Sequence, residues 1–107
     1  MARRVCEKHL HFGYNLARFS IKREDFVRMM AEQGDVCAVC HGTNANGKAL
    51  CIDHDHDCCP GDRSCGVCVR GLICHQCNFA IGQMHDDPAR LRAAAAYIER
   101  HRVRLVV

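Results

Sequence analysis

The chain has 107 residues, ten of them cysteine, and a formal charge of +3. That length fits one domain and excludes a large core, because so short a chain hides only roughly 65% of its unfolded surface. Four metal-bound thiolates and one zinc would lower the charge to about +1, so bulk basicity makes no case for a nucleic-acid partner.

Ten cysteines are too many for core filling, and in a short chain they signal a disulfide framework or metal sites. The N-terminus, MARRVCEKHLHF, shows no apolar leader, and no transmembrane run is visible, so the expectation is a soluble, intracellular protein with no membrane partner. Three C-x-x-C pairs, Cys37/Cys40, Cys65/Cys68 and Cys74/Cys77, tip the balance toward metal. That spacing lets two thiolates converge on one ion from a tight turn.

In chain order, residues 1–19 read as a basic, His-rich arm and residues 20–107 as the single domain. Ser20 is the expected N-cap of a helix over residues 21–33, with Glu24 and Asp25 in its first turn. Phe26, Val27, Met29 and Met30 form its apolar face, and Gly34 suits the position after its end. Cys37-Ala-Val-Cys40 follows at once, so this helix delivers the chain into a first metal knuckle.

Residues 41–48 are turn-rich and read as a loop. Residues 49–52 are apolar enough for a strand, which runs into Asp53-His54-Asp55-His56. A loop carrying Cys58, Cys59, Cys65 and Gly66 comes next, and residues 67–73 read as the return strand of a hairpin. Cys74-His-Gln-Cys77 is the second knuckle, with a short helix over residues 78–84 leaving it. Asp87 and Pro88 open a last helix with a stripe of Leu91, Ala94, Ala95 and Ile98. Arg90, Arg92, Arg100, Arg102 and Arg104 decorate the rest, as a solvated face or as phosphate contacts.

The two outer C-x-x-C pairs enclose a 33-residue insert, long enough for a hairpin pinned at its base by zinc. A strand ending in Asp53-His54 and a helix carrying Asn78 are thereby drawn together by one metal clamp. Asp53 and Asn78 offer oxygen ligands to a hard divalent cation, with open positions left for phosphate and water. The imidazole of His54 can take a proton from an attacking water, because an imidazole ordinarily titrates near neutrality. Alone, an Asp-His pair is more often a cap or a solvated turn. Between two knuckles and paired with Asn78, it supplies what phosphodiester hydrolysis requires.

The segments C37AVC40, I52DHDH56, V69RGLIC74 and C77NFAIGQM84, with the approach AEQGDVC, closely resemble the recombination endonuclease VII family of HNH (His-Me finger) nucleases. The resemblance covers about residues 20–100. It implies an α+β fold: a small zinc-stapled ββα-metal domain with flanking helices. It implies structural zinc on Cys37, Cys40, Cys74 and Cys77, magnesium or another divalent cation on Asp53 and Asn78, and His54 as general base. His56 matches a second active-site histidine that touches phosphate or the transition state. The expected activity is metal-dependent cleavage of DNA, with branched DNA and Holliday junctions as substrates, by a homodimer in the cytoplasm of a bacterial or phage-infected cell.

Two departures qualify the resemblance. Ile81 stands where the family's phage prototype has an active-site glutamate, and the chain stops soon after the Arg-rich helix. The loop between the strands also adds cysteines. Cys58, Cys59, Cys65 and Cys68 are candidates for a second zinc, with Cys6 or His9 as an alternative fourth ligand, against a reading as free thiols. Cys51 reads as a small core residue, and His9, His11, His41, His75, His85 and His101 as surface residues. Arg70 is either a phosphate contact or an ion-pair partner of Asp55 or Asp57. The alternatives to a junction-cutting enzyme are a nonspecific or site-specific nicking endonuclease, and a non-catalytic zinc module that binds DNA or a protein.

Overall fold

A helical turn over residues 16–19 precedes five elements: α1 (Arg23–Glu32), β1 (Cys51–His54), β2 (Val69–Ile73), α2 (His75–Gln83) and α3 (Pro88–Val106). The computed structural model describes residues 16–106, with side chains as far as Arg102. Cys6, His9, His11 and the first fifteen residues of the arm lie outside the described residues. The fold is α+β, with one antiparallel pair as its sheet. No helix among the described residues is long and apolar enough to cross a membrane.

Ser20 does not cap α1. It sits at φ +57 as the left-handed residue that ends the preceding turn, where its N–H bonds Ala17 O and the Ile21 N–H bonds Leu16 O. The N-cap is Lys22, whose N–H donates to Asp25 Oδ2 at 2.9 Å. Helix α1 ends as its sequence predicts, with Gly34 at φ +70 and paired bonds Gly34 N–H to Ala31 O and Asp35 N–H to Met30 O. The same closing pattern ends α2, where His85 and Asp86 take φ +57 and +56. Three elements thus stop on one hydrogen-bonding device.

β1 is shifted two residues toward the C-terminus of its expected span, and β2 is two residues shorter than its own. β1 begins at Cys51 and extends through His54, and β2 begins at Val69, since Val67 is 91% exposed. Ile52 faces Leu72 and Asp53 faces Gly71, but His54 faces Val69. Arg70 is the residue skipped, a bulge one step from the Asp-His pair. Helix α2 begins three residues earlier than the sequence predicts, because Cys74 in extended backbone is already its N-cap. Asn78 therefore lies in its first turn, its N–H on Cys74 O. The first N–H of α2, on His75, is satisfied from a distance by Asn44 Oδ1 at 2.8 Å. Asn44 is buried, and its amide also donates to the Lys48 and Ala49 carbonyls, so the 41–48 loop is tied to α2.

The core is Leu16, Phe19, Phe26, Leu50, Ile52, Leu72 and Ile73, closed by Cys37 and Cys74. Leu16 and Phe19 belong to it although the sequence assigns them to the arm. Helix α3 opens on Asp87 as predicted, with the Ala89 N–H on its carboxylate, but its stripe is only half covered. Leu91 and Ala94 are partly buried, while Ala95 and Ile98 are exposed. Cys51 is half-buried, its Sγ 3.4 Å from His75 Nδ1 at the sheet's margin.

Gln33 does work that its place at the end of α1 does not announce. Its amide accepts the Leu72 N–H at 3.0 Å and donates to Leu72 O at 2.9 Å and Val36 O at 2.8 Å. Gln33→Ala leaves a buried strand N–H without a partner, and chemical denaturation should show a loss of roughly 1–3 kcal/mol. Gln33→Glu, which keeps an acceptor but loses the donor, should also destabilise.

Candidate active site and metal centres

The first sulfur group is built by two turns. The Cys37 N–H bonds Gly42 O at 2.8 Å and the His41 N–H returns to Cys37 O, a tight knuckle in which His41 takes φ +65. Cys74 and Cys77 come from the start of α2. The four sulfurs lie within 4.8 Å of one another, and Cys40 Sγ and Cys74 Sγ are 3.8 Å apart. A disulfide requires about 2.05 Å, whereas a tetrahedron of sulfurs at about 2.3 Å from zinc has edges of about 3.8 Å. The group can hold zinc.

Burial alone would raise the Cys37 thiol. Backbone N–H groups, including those of Val39 and Cys74 at 3.3 Å, outweigh it and bring the pKa down to about 6. Cys77 moves the other way, pushed up by burial and by its neighbours' sulfurs. The Cys37 thiolate is thus stabilised by the backbone before metal arrives, while Cys77 needs the cation's charge.

A second group forms in the loop between the strands, where the sulfurs of Cys58, Cys59, Cys65 and Cys68 also lie within 4.8 Å of one another. It too can hold zinc.

Beside the sulfurs lies the Asp-His pair. Asp53 is 8% exposed and both its oxygens are taken by Arg70, Nε to Oδ2 at 2.7 Å and Nη2 to Oδ1 at 3.0 Å. Arg70 Nη2 also reaches Asp86 at 3.2 Å, and Asp86 accepts a bond from His56 Nδ1 at 3.0 Å. The His56 ring stands 4.4 Å from that of His54, which packs on Phe19 at 5.5 Å. Asp53, Arg70, Asp86, His56 and His54 therefore form one continuous chain of contacts. Burial opposes ionisation of Asp86, but the His56 bond and the Arg70 charge outweigh it and hold its carboxyl below the usual range. Arg70 is in turn held more firmly charged, chiefly by Asp53.

His54 is 4% exposed and its Nε2 donates to the carbonyls of Cys59 at 2.9 Å and Gly61 at 3.2 Å. Carbonyls only accept, so the proton resides on Nε2 and the lone pair on Nδ1. An open groove of about 290 Å³ runs past Asp53, Arg70, Ile81, Asp86 and Leu91.

A family model for recombination endonuclease VII matches residues 8–100. The chain belongs to this family. It is 33% identical to the Gene 59 protein of Mycobacterium phage D29 over 86 residues, 79% of this chain and 47% of that protein. It is 31% identical to the Gene 59 protein of Mycobacterium phage L5 over 84 residues, 78% of this chain and 46% of that one. The chain spans about half the length of these phage relatives. No solved structure matches it significantly.

Within this endonuclease VII fold, Arg70 pairs with Asp53 and Asp86 and not with Asp55 or Asp57. The cause is the bulge, which leaves Arg70 beside the Asp53 carboxylate. Asn78 is exposed, one turn before Ile81 on α2, and Ile81 is an apolar wall of the groove. His56 is exposed at the rim. His41, His75, His85 and His101 are exposed as the sequence predicts. Asp86 is the residue that sequence reasoning missed. Its signal was the pair Asp86-Asp87 before Pro88, where one acid suffices for the cap.

The first sulfur group sits where the core is deepest, with Cys37 at 0% and Cys74 at 3% exposure. Stripping metal from the reduced protein with a strong chelator should abolish its cooperative thermal transition and most of its helical circular dichroism. Zinc should restore both.

Proposed function

We propose that this chain is a metal-dependent DNA endonuclease of the HNH (His-Me finger) type that prefers branched DNA such as Holliday junctions. The observation that carries the reading is His54, buried, packed on Phe19 and tied through Nε2 to two carbonyls, with Nδ1 left as the base. A purely structural histidine has no need of a fixed tautomer next to a carboxylate that opens on a groove.

Zinc on Cys37, Cys40, Cys74 and Cys77 holds β2 and α2 to the knuckle after α1, and so presents the catalytic strand. Magnesium or another divalent cation suits two hard oxygen donors, the carboxylate of Asp53, which lines the groove, and the amide oxygen of Asn78, exposed on α2 one turn before the groove residue Ile81. When bound there, it would supply charge stabilisation for the phosphate and the leaving oxygen. His54 Nδ1 accepts the proton of the attacking water. Arg70 occupies both Asp53 oxygens, and Asp86, 3.2 Å from Arg70 Nη2, would keep the guanidinium paired if Asp53 bound a cation. His56, steadied by Asp86, is positioned at the rim to meet a phosphate oxygen. The exposed arginines of α3, Arg92, Arg100 and Arg102, add phosphate contacts. Exposed Tyr97 and Ile98 on the same helix support a homodimer, which would place two such sites on the two strands of a junction. Such an enzyme acts in the cytoplasm of the cell in which phage DNA is processed.

The first test is a four-way junction beside a matched linear duplex, with and without magnesium, for the wild type and His54→Ala. Magnesium-dependent cutting of the junction alone, reduced by about 10²–10⁴-fold in the variant, is the expected result. Equal cutting of both substrates would point to a nicking or nonspecific enzyme, and no cutting with any divalent metal to a non-catalytic DNA-binding module. Because Arg70 competes with a cation for Asp53, Arg70→Ala should bind Mn²⁺ about tenfold more tightly in the absence of DNA. Weaker binding would mean that Arg70 holds Asp53 in place for the ion instead.

A further inference from the structure

The loop over residues 55–68 has an unusual burden. It carries the two carbonyls that orient His54, yet it has no helix or strand, and Ser64 is its one buried residue. A loop of fourteen residues with one buried side chain holds two oxygens on one imidazole nitrogen firmly only if it is cross-linked near them. At one point it is anchored to the helical turn: Ser64 Oγ donates to Phe19 O at 2.8 Å, and the Ser64 N–H reaches Arg18 O. Gly66 packs so tightly there that a Cβ would lie 2.5 Å from Ser20 O. The Asp55 N–H donates to Cys68 O at 3.0 Å and Arg18 pairs with Asp62 at 4.0 Å, so the loop is tied at its base and beyond Gly61, while the stretch from Cys59 to Gly61 meets the rest of the fold through its carbonyls on His54.

The sulfurs are placed to close that segment. Cys58 and Cys59 precede Gly61 and Cys65 and Cys68 follow it. Their Sγ separations are 3.9 Å for Cys58–Cys65, 4.0 Å for Cys58–Cys59 and 4.0 Å for Cys65–Cys68. These are close to the ~3.8 Å edges of a zinc tetrathiolate and about twice a disulfide bond. Neighbouring cysteines seldom both face one ion. Here the N–H groups of Cys58 and Cys59 both bond Asp55 O at 3.1 Å, which curls the backbone and turns both sulfurs to one side.

We propose that Cys58, Cys59, Cys65 and Cys68 form a second structural zinc site that locks the 55–68 loop and so holds the Cys59 and Gly61 carbonyls on His54. The four described cysteines complete the site without Cys6 or His9. The four sulfurs lie outside the core, on exposed or half-buried residues. The ion acts as a positioning device, and this part of the proposal rests on His54 being the base.

The test compares wild type, His54→Ala, Cys68→Ser and the double variant Cys65→Ser/Cys68→Ser, all purified reduced with zinc. Elemental analysis should find about two zinc ions per chain in wild type and His54→Ala, and about one in the double variant. The double variant should keep a cooperative melting transition, since the first sulfur group is intact. If it does not fold, Cys68→Ser should fold and lose one zinc to a mild chelator that leaves wild type loaded. Nitrogen-15 NMR of the His54 ring should show a single Nε2–H tautomer in wild type and a mixture in the two cysteine variants. With the junction substrate, kcat should fall by about 10- to 100-fold while KM holds. One zinc in wild type, or two in the double variant, overturns the site. Loss of one zinc with an unchanged tautomer and kcat overturns the positioning role. Full activity in His54→Ala would instead refute the catalytic reading, while zinc content and tautomer would still decide the second site.

Discussion

The whole domain depends on four sulfurs brought together at the edge of its core, two of them buried. Cys37 and Cys74 belong to a core with only seven other buried apolar side chains among the described residues. So thin a core stabilises little by itself. Four converging thiols in it would repel once ionised, so the arrangement makes sense only around a cation. The backbone is prepared for that cation: N–H groups point at Cys37 Sγ and Cys40 Sγ even without it. The group joins the end of α1, the end of β2 and the start of α2, and these three junctions determine where everything else lies.

From that clamp the site follows by short steps. β2 enters the clamp at Cys74, so its register against β1 is fixed from the metal end, and Asp53 and His54 fall at the far end of the pair. The bulge at Arg70 then breaks the strict alternation of faces. It aligns a guanidinium with Asp53 and, through Asp86, with His56. The result is a buried carboxylate that is neutralised yet not enclosed, because the groove passes it. The opposite side of the strand is dry and aromatic, and there His54 is held by carbonyls. The paired carboxylate and the buried imidazole are separated by one peptide bond.

Much of this was legible in the residues. C-x-x-C spacing announced both knuckles, Gly34 the end of α1, and Asp87-Pro88 the start of α3, since each of these depends on local backbone chemistry. The four loop cysteines were also singled out as a candidate group, and their sulfurs do converge. What escaped notice was tertiary. Ser20 looked like a cap, but a turn from residues assigned to the arm had already claimed it. Arg70 had acids nearby in sequence, yet a bulge invisible to periodicity gave it Asp53. Asp86 depends on two consecutive left-handed residues, and Gln33 and Asn44 act across 39 and 31 residues. No local pattern reports contacts at that range.

The Gln33 clip has one more effect. A sheet of two strands normally exposes an unpaired margin on each side, and a bare margin invites strands from other molecules. At β2 that margin is not bare: the N–H of Leu72 is taken by Gln33, and its carbonyl by Gln33 and the Ala38 N–H. A side-chain amide and one loop residue occupy the place of a third strand. This closes β2 to fibre-like growth, so copies of the chain at high concentration do not zip together along that edge.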